Sequence, residues 1–260
     1  MTKEAVTAPG PVLWQPLNQP EHPTRLLFAA PHVGGGAAVA RTLARDLGPT
    51  WACFGLGLPG RERRSAEQPD WTFAALVEEA AAALVEVAAR IPEAEVVGVG
   101  QCSGAWLVHA VLAHAQHELG ARLRLAVMVS QEAWHRPRQD APLPDGSDEL
   151  WERLVASGDT HPEVAQDEDA RELLEPVLRA DHEAVRGFPR TSKAVAAPLL
   201  VVLGTKDASM SVGGSDAWRA YGTSLSVATV PAGHLALTDN PSAVARQIEI
   251  HLELLSHQQG

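Results

Sequence analysis

Along this chain of 260 residues a short apolar run followed by an amphipathic stretch recurs, and no other feature constrains the fold as tightly. Runs at 26–30, 51–54, 96–99, 125–129, 198–203 and 225–230 have the length and apolar character of strands. Between them, apolar residues spaced by three and four mark helices at about 37–47, 73–91, 103–119 and 242–255. The second of these carries its apolar positions at 73, 76, 77, 80, 84, 87, 88 and 91. Strands that are apolar throughout are buried on both faces, and alternation with helices predicts a parallel sheet covered on each side. The fold class is therefore α/β.

Residues 131–189 interrupt the alternation. They hold no strand-like run but show helical patterns at 149–156 and 169–178. A helical insertion between two strands is expected there, over the carboxyl edge of the sheet, where such folds keep their sites. Residues 1–22, rich in Pro and Gln, read as a loosely attached arm before a single domain over 23–260.

Charge and cysteine content exclude several classes of function. With 21 Lys and Arg against 32 Asp and Glu, the net charge is −11, opposite to the basic footprint of a nucleic-acid binder or an anionic-membrane binder. No apolar run approaches the roughly 18 residues of a membrane span, and the first ten residues lack a signal-peptide core. Two cysteines, Cys53 and Cys102, rule out a disulfide framework and make a reducing, cytoplasmic compartment the expectation.

The sharpest local signal is Gly100-Gln-Cys102-Ser-Gly104, between the run at 96–99 and the helix from 103. Strand, tight turn and helix are the context of a nucleophile elbow, G-x-S-x-G, here with Cys in the Ser position. The nucleophile of such a turn sits on strained backbone, so its flanking positions need Gly. The helix that follows directs its free N–H groups and partial positive charge at the side chain, which favours a thiolate.

A triad on this kind of fold runs nucleophile, acid, base along the chain. Asp207 lies just after the run at 198–203, and His234 just after the run at 225–230. Both fall at carboxyl ends of strands, beside the elbow. His234 is the expected base and Asp207 the group that orients it. The oxyanion hole takes the N–H of Ser103, after the nucleophile, and one from Pro31-His-Val-Gly-Gly-Gly36, where Val33 is the expected donor because Gly34 and Gly35 let the chain turn inward. That glycine cluster is neither a P-loop nor a dinucleotide fingerprint, and no metal site is expected.

These residues and four further motifs resemble the type II thioesterases of nonribosomal peptide and polyketide assembly lines. Pro31-His-Val-Gly-Gly35 is similar to the family's P-H-A-G-G, and Pro59-Gly-Arg-Glu-Arg-Arg64 to its P-G-R-E-x-R. Leu178-Arg-Ala-Asp181 matches the L-R-A-D of its helical lid, and Ala232-Gly-His234 its final G-G-H. The resemblance covers nearly the whole chain after the arm. It implies an α/β-hydrolase with a lid at about 131–189 and no cofactor of its own. It also implies a substrate in the form of an acyl or aminoacyl group on the phosphopantetheine arm of a carrier protein. The carrier is then the partner, and the enzyme itself is expected to be a monomer.

The elbow departs from the family's G-H-S-M-G, with Gln101, Cys102 and Ser103 in place of His, Ser and Met. The substitution of Cys for Ser alters the chemistry. A Ser enzyme turns a thioester into an oxyester, a downhill step, whereas a Cys enzyme exchanges one thioester for another of nearly equal free energy. Hydrolysis and transfer to a second carrier thiol are both open, and in the elbow Cys the chain resembles the shuttle aminoacyltransferases of the same superfamily. Dienelactone hydrolases also carry G-x-C-x-G but lack the other motifs. A non-catalytic binding module is the third alternative. Elsewhere, Cys53 is expected in the core and Trp106 to pack its helix. Asp181 and His182 are expected in the lid scaffold, and Arg61, Arg63 and Arg64 on the surface or in a structural role. His32 is expected to support the oxyanion loop.

Overall fold

The computed structural model describes residues 13–133, 142–187 and 193–257. Its centre is a seven-stranded sheet of β1 (Trp14–Pro16), β2 (Arg25–Ala30), β3 (Trp51–Leu56), β4 (Glu95–Gln101), β5 (Leu123–Val129), β6 (Leu199–Gly204) and β7 (Leu225–Val230). The spatial order is β1-β3-β2-β4-β5-β6-β7, and every pair is parallel except β1 with β3. The α/β architecture expected from the sequence is present.

Strand alternation explains how apolar runs fill two cores at once. Leu26, Phe28 and Ala30 face one cluster, and Leu27 and Ala29 the other. On β5, Ala126 and Met128 join the first while Leu125, Val127 and Val129 join the second. The first cluster is closed by α2 (Phe73–Ala89) and α3 (Ser103–Leu119), and the second by α1 (Arg41–Leu47) and α9 (Pro241–His257). The helix expected over 37–47 is a 3-10 turn at Ala37–Ala40 running into α1. Among the described residues, no helix is long and apolar enough to cross a membrane.

The arm expected over 1–22 requires a correction in its described part. Residues 1–12 lie outside the described residues, but Trp14–Pro16 forms the edge strand β1. Trp14 is buried, stands edge-on to Phe28 at 5.0 Å, and donates from Nε1 to the Ala80 carbonyl at 2.9 Å. Asn18 then continues the pairing with its side chain, donating to Trp51 O and accepting from Cys53 N–H, each at 2.9 Å. Burial of a large ring anchors this segment, a signal that its Pro and Gln content concealed.

Between β5 and β6 the chain forms α4 (Ser147–Ser157), α5 (Pro162–Gln166) and α6 (Glu168–Arg186). Leu150, Trp151 and Leu154 of α4 pack on Leu178 of α6 in a small cluster of their own. Residues 134–141 and 188–192, within and just past the expected insertion, lie outside the described residues. Two further short helices, α7 (Val212–Ser215) and α8 (Ala236–Asp239), follow β6 and β7.

Candidate active site

The first site element is the turn joining β4 to α3. Cys102 occupies φ 53°, ψ −129°, a left-handed backbone that only local packing holds for a residue with a Cβ. That packing is tight on both sides. A Cβ on Gly100 would stand 2.1 Å from Gly104 O, and one on Gly104 would stand 2.4 Å from the carbonyls of both Ala30 and Pro31. Cys102 N–H donates to Val129 O at 2.9 Å, which ties the turn to the neighbouring strand, and its thiol is half-buried.

The second element lies at the ends of β6 and β7. Asp207 Oδ2 and His234 Nδ1 are 2.8 Å apart, and both side chains are buried. Ser209, which sequence reasoning missed, donates from Oγ to Asp207 Oδ1 at 2.5 Å and from its N–H at 3.0 Å, and its Oγ stands 3.3 Å from His234 Nδ1. Burial pushes the Asp207 carboxyl up, but hydrogen bonds from His234 and Ser209 outweigh it and the net shift is downward. For His234, burial favours the neutral ring. The hydrogen bond to Asp207 and the interaction with the Cys102 sulfur outweigh it and raise the imidazole to about 11. These partners favour the protonated ring, the form His234 takes once it holds the thiol proton. Its Nε2 is buried and makes no hydrogen bond among the described residues.

Cys102 Sγ, a His234 ring nitrogen and an Asp159 carboxylate oxygen all lie within 4.8 Å of one another. This trio has the donor types and spacing to hold a metal ion. Asp159, from the turn after α4, was not singled out in the sequence. Its Oδ1 stands 3.5 Å from His234 Nε2.

The third element is the loop after β2. Ser103 is the first residue of α3, so its N–H has no partner within the helix, and the Val33 N–H donates to no backbone carbonyl among the described residues. Both residues line the same cavity as Cys102, which has a volume of about 190 Å³. Gly34 turns the loop with φ 78°, and its N–H donates to Asp181 Oδ2 at 2.8 Å. Asp181 also takes both arms of the Arg61 guanidinium, at 2.7 and 2.6 Å, and Trp71 Nε1 at 2.9 Å. Arg61 in turn donates to Gly35 O at 2.8 Å. The expected scaffold role of Asp181 and the structural option for Arg61 both hold, and the pair joins α6 to the loop. Glu62 was not foreseen. Its carboxylate accepts from the N–H groups of Ala37 and Ala38 at 2.8 and 2.9 Å and fixes the far end of the same loop.

Gln101 ties the three elements together. Its Oε1 accepts from Leu237 N–H at 2.6 Å, just beyond His234, while Nε2 stands 3.5 Å from His32 Nδ1. Burial drives His32 down to about 4, so it sits there neutral. Trp106 packs within α3, is buried, and donates to Glu132 O at 2.8 Å. Cys53 is fully buried in β3, and burial pushes its thiol up to about 12.

A family model described as Thioesterase domain matches residues 25–252. Among curated proteins, the chain is 28% identical over 222 residues to phenyloxazoline synthase MbtB of Mycobacterium tuberculosis, covering 84% of this chain and 15% of that protein. It is 26% identical over 244 residues to AMB antimetabolite synthetase AmbE of Pseudomonas aeruginosa, covering 90% of this chain and 11% of that protein. The chain thus spans a small fraction of the length of these relatives. Among solved structures, the type II thioesterase BorB from the borrelidin biosynthetic cluster superposes with a TM-score of 0.76 at 24% identity, covering 95% of this chain and 100% of that one. RedJ, a thioesterase from the prodiginine biosynthetic pathway in Streptomyces coelicolor, gives 0.74 at 24% identity, covering 98% and 95%.

Proposed function

The chain belongs to the thioesterase domain family, and on that premise we propose that it cleaves thioesters of acyl or aminoacyl groups held on the phosphopantetheine arm of a carrier protein. One observation carries this: Asp207, His234 and Cys102 converge from three strand ends, with His234 2.8 Å from Asp207 and within 4.8 Å of the sulfur. The likeness of the chain to thioesterases of the borrelidin and prodiginine biosynthetic pathways supports this reading.

The chemistry follows from the groups present. His234 takes the Cys102 proton, and the thiolate attacks the thioester carbonyl carbon. The N–H groups of Ser103 and Val33 receive the negative oxygen of the tetrahedral intermediate. The intermediate collapses by expelling the pantetheine sulfur, which takes the proton from His234, and leaves an acyl group on Cys102. Water, deprotonated by His234, then attacks that carbonyl, and Cys102 leaves as the thiol with free acid as product. Asp207 holds the imidazole in the tautomer and orientation these steps need, and Ser209 steadies Asp207. Catalytic hydrogen bonds of this kind tighten in the complex with substrate.

The elbow Cys also favours a second reaction, passage of the acyl group from Cys102 to the thiol of another carrier. The enzyme acts as a monomer in the cytoplasm, where the thiol stays reduced. Incubating labelled, loaded carrier and unloaded holo-carrier with the enzyme and following intact masses separates the two outcomes. Free acid alone identifies hydrolysis, and label on the second carrier identifies transfer. Unchanged turnover in Cys102→Ala overturns the nucleophile assignment and returns the chain to the class of binding modules.

A further inference from the structure

Asp159 is held against the reactive pair by its own turn. Gly158 ends α4 with φ 78°, a Cβ on it would stand 3.5 Å from His234 Cβ, and Asp159 N–H donates to Leu154 O at 2.9 Å. Ser157 Oγ donates to Asp159 Oδ2 at 2.6 Å, which leaves Oδ1 turned to His234. The carboxylate lines the same cavity as the Cys102 thiol, among Val33, Leu150, Leu154 and Leu178.

A carboxylate in that position works against the common task of the site. It repels the thiolate and the carboxylate of a released acid, and it offers nothing to a plain acyl chain. It suits one kind of substrate well. In an aminoacyl thioester two carbon atoms separate the amino nitrogen from the sulfur, so a protonated amine lies within about 4 Å of Sγ. The span between Cys102 Sγ and the Asp159 oxygen is at most 4.8 Å, so an ammonium bound to Asp159 stays beside the sulfur. The cavity points the same way. At about 190 Å³ it is smaller than the roughly 300–1,000 Å³ of a site for drug-sized ligands, and it fits a short side chain.

Building on the thioester chemistry proposed above, we propose that Asp159 recognises the protonated α-amino group of the substrate, so that the enzyme selects aminoacyl over plain acyl thioesters. The ammonium donates to Oδ1, Ser157 keeps the carboxylate oriented, and the carbonyl carbon is held over Cys102 with its oxygen toward the Val33 and Ser103 N–H groups. A substrate lacking the amine forgoes this charge-assisted hydrogen bond, and that difference sets the selectivity.

The test uses alanyl and propionyl thioesters of N-acetylcysteamine, a pair that differs only in the amine. The readout is the ratio of their kcat/KM values in the wild type and in Asp159→Asn, with thermal melting as a check on folding. Comparing ratios cancels the intrinsic reactivity of each thioester, and it also cancels any effect on His234 that both substrates feel. The ratio is expected to favour the alanyl thioester and to fall by about 10–100-fold in Asp159→Asn, as when a charged hydrogen bond is lost. A ratio unchanged in Asp159→Asn, with both thioesters consumed, overturns the amine site and leaves the thioester chemistry standing. If the wild type consumes neither thioester, both proposals fall together.

Discussion

Asp181→Ala is the most informative single substitution for the scaffold under the site. The side chain is 1% exposed and receives four hydrogen bonds, two from Arg61 and one each from Gly34 N–H and Trp71 Nε1. Its removal leaves the Arg61 guanidinium, 8% exposed, without its counter-charge, a loss of about 3–5 kcal/mol in comparable buried pairs. The orphaned Gly34 and Trp71 donors add about 1–3 kcal/mol each if they stay dry, and water entering the vacated space offsets part of that. We take about 3 kcal/mol as the minimum, which lowers the melting temperature by about 6–12 °C for a chain of this size. Urea denaturation with an unchanged m-value is the assay for stability. A double-mutant cycle with Arg61→Met isolates the pair. The double mutant should be less destabilised than the sum of the single changes by at least about 1 kcal/mol. Turnover should also fall, because the Gly34 N–H that Asp181 holds fixes the position of Val33. A loss below about 1 kcal/mol together with additive single changes would show that the pair is solvated in solution, contrary to this account.

Two further outcomes concern the titrating groups. Iodoacetamide on the native protein should modify the half-buried Cys102 alone, as peptide mass mapping reads out. Cys53, fully buried and with its thiol pushed up to about 12, should react only after denaturation. The raised His234 contributes stability that is complete below its ordinary value of 6.5 and is lost as pH climbs toward about 11. The stability difference between wild type and His234→Gln should therefore shrink over that window, measured by urea midpoints at stepped pH. A constant difference would contradict the assignment.

The parts of this fold that were legible in the sequence are those governed by local pattern. The alternation of apolar runs and periodic helices leaves strand order open, yet it places Cys102, Asp207 and His234 at strand ends. Helix α3 begins at Ser103 as its glycine-flanked turn implies. What escaped notice depends on side chains meeting across long separations. Glu62 reaches the N–H groups of Ala37 and Ala38 across the tip of a loop, and nothing in its spacing from them announces that contact. Asp159 looks like an ordinary polar residue after a helix-ending glycine, and only the tertiary placement of α4, packed on α6, brings it to His234. β1 escaped because three residues are too few for a period to show, and its anchor is a single buried ring.

The helical insertion between β5 and β6 has a consequence for how such a chain can change. Closing a flexible loop costs an entropy that grows only with the logarithm of its length, about 0.6 kcal/mol per doubling. Residues 130–198 are roughly three times as long as the other connections between parallel strands of this sheet, so closing them costs the fold only about 1 kcal/mol more. The insertion also supplies Leu150, Leu154, Asp159 and Leu178, much of the cavity wall facing Cys102. Selectivity can therefore be exchanged by splicing a different insertion between the same two strands, while the strands that carry the reactive groups keep their register.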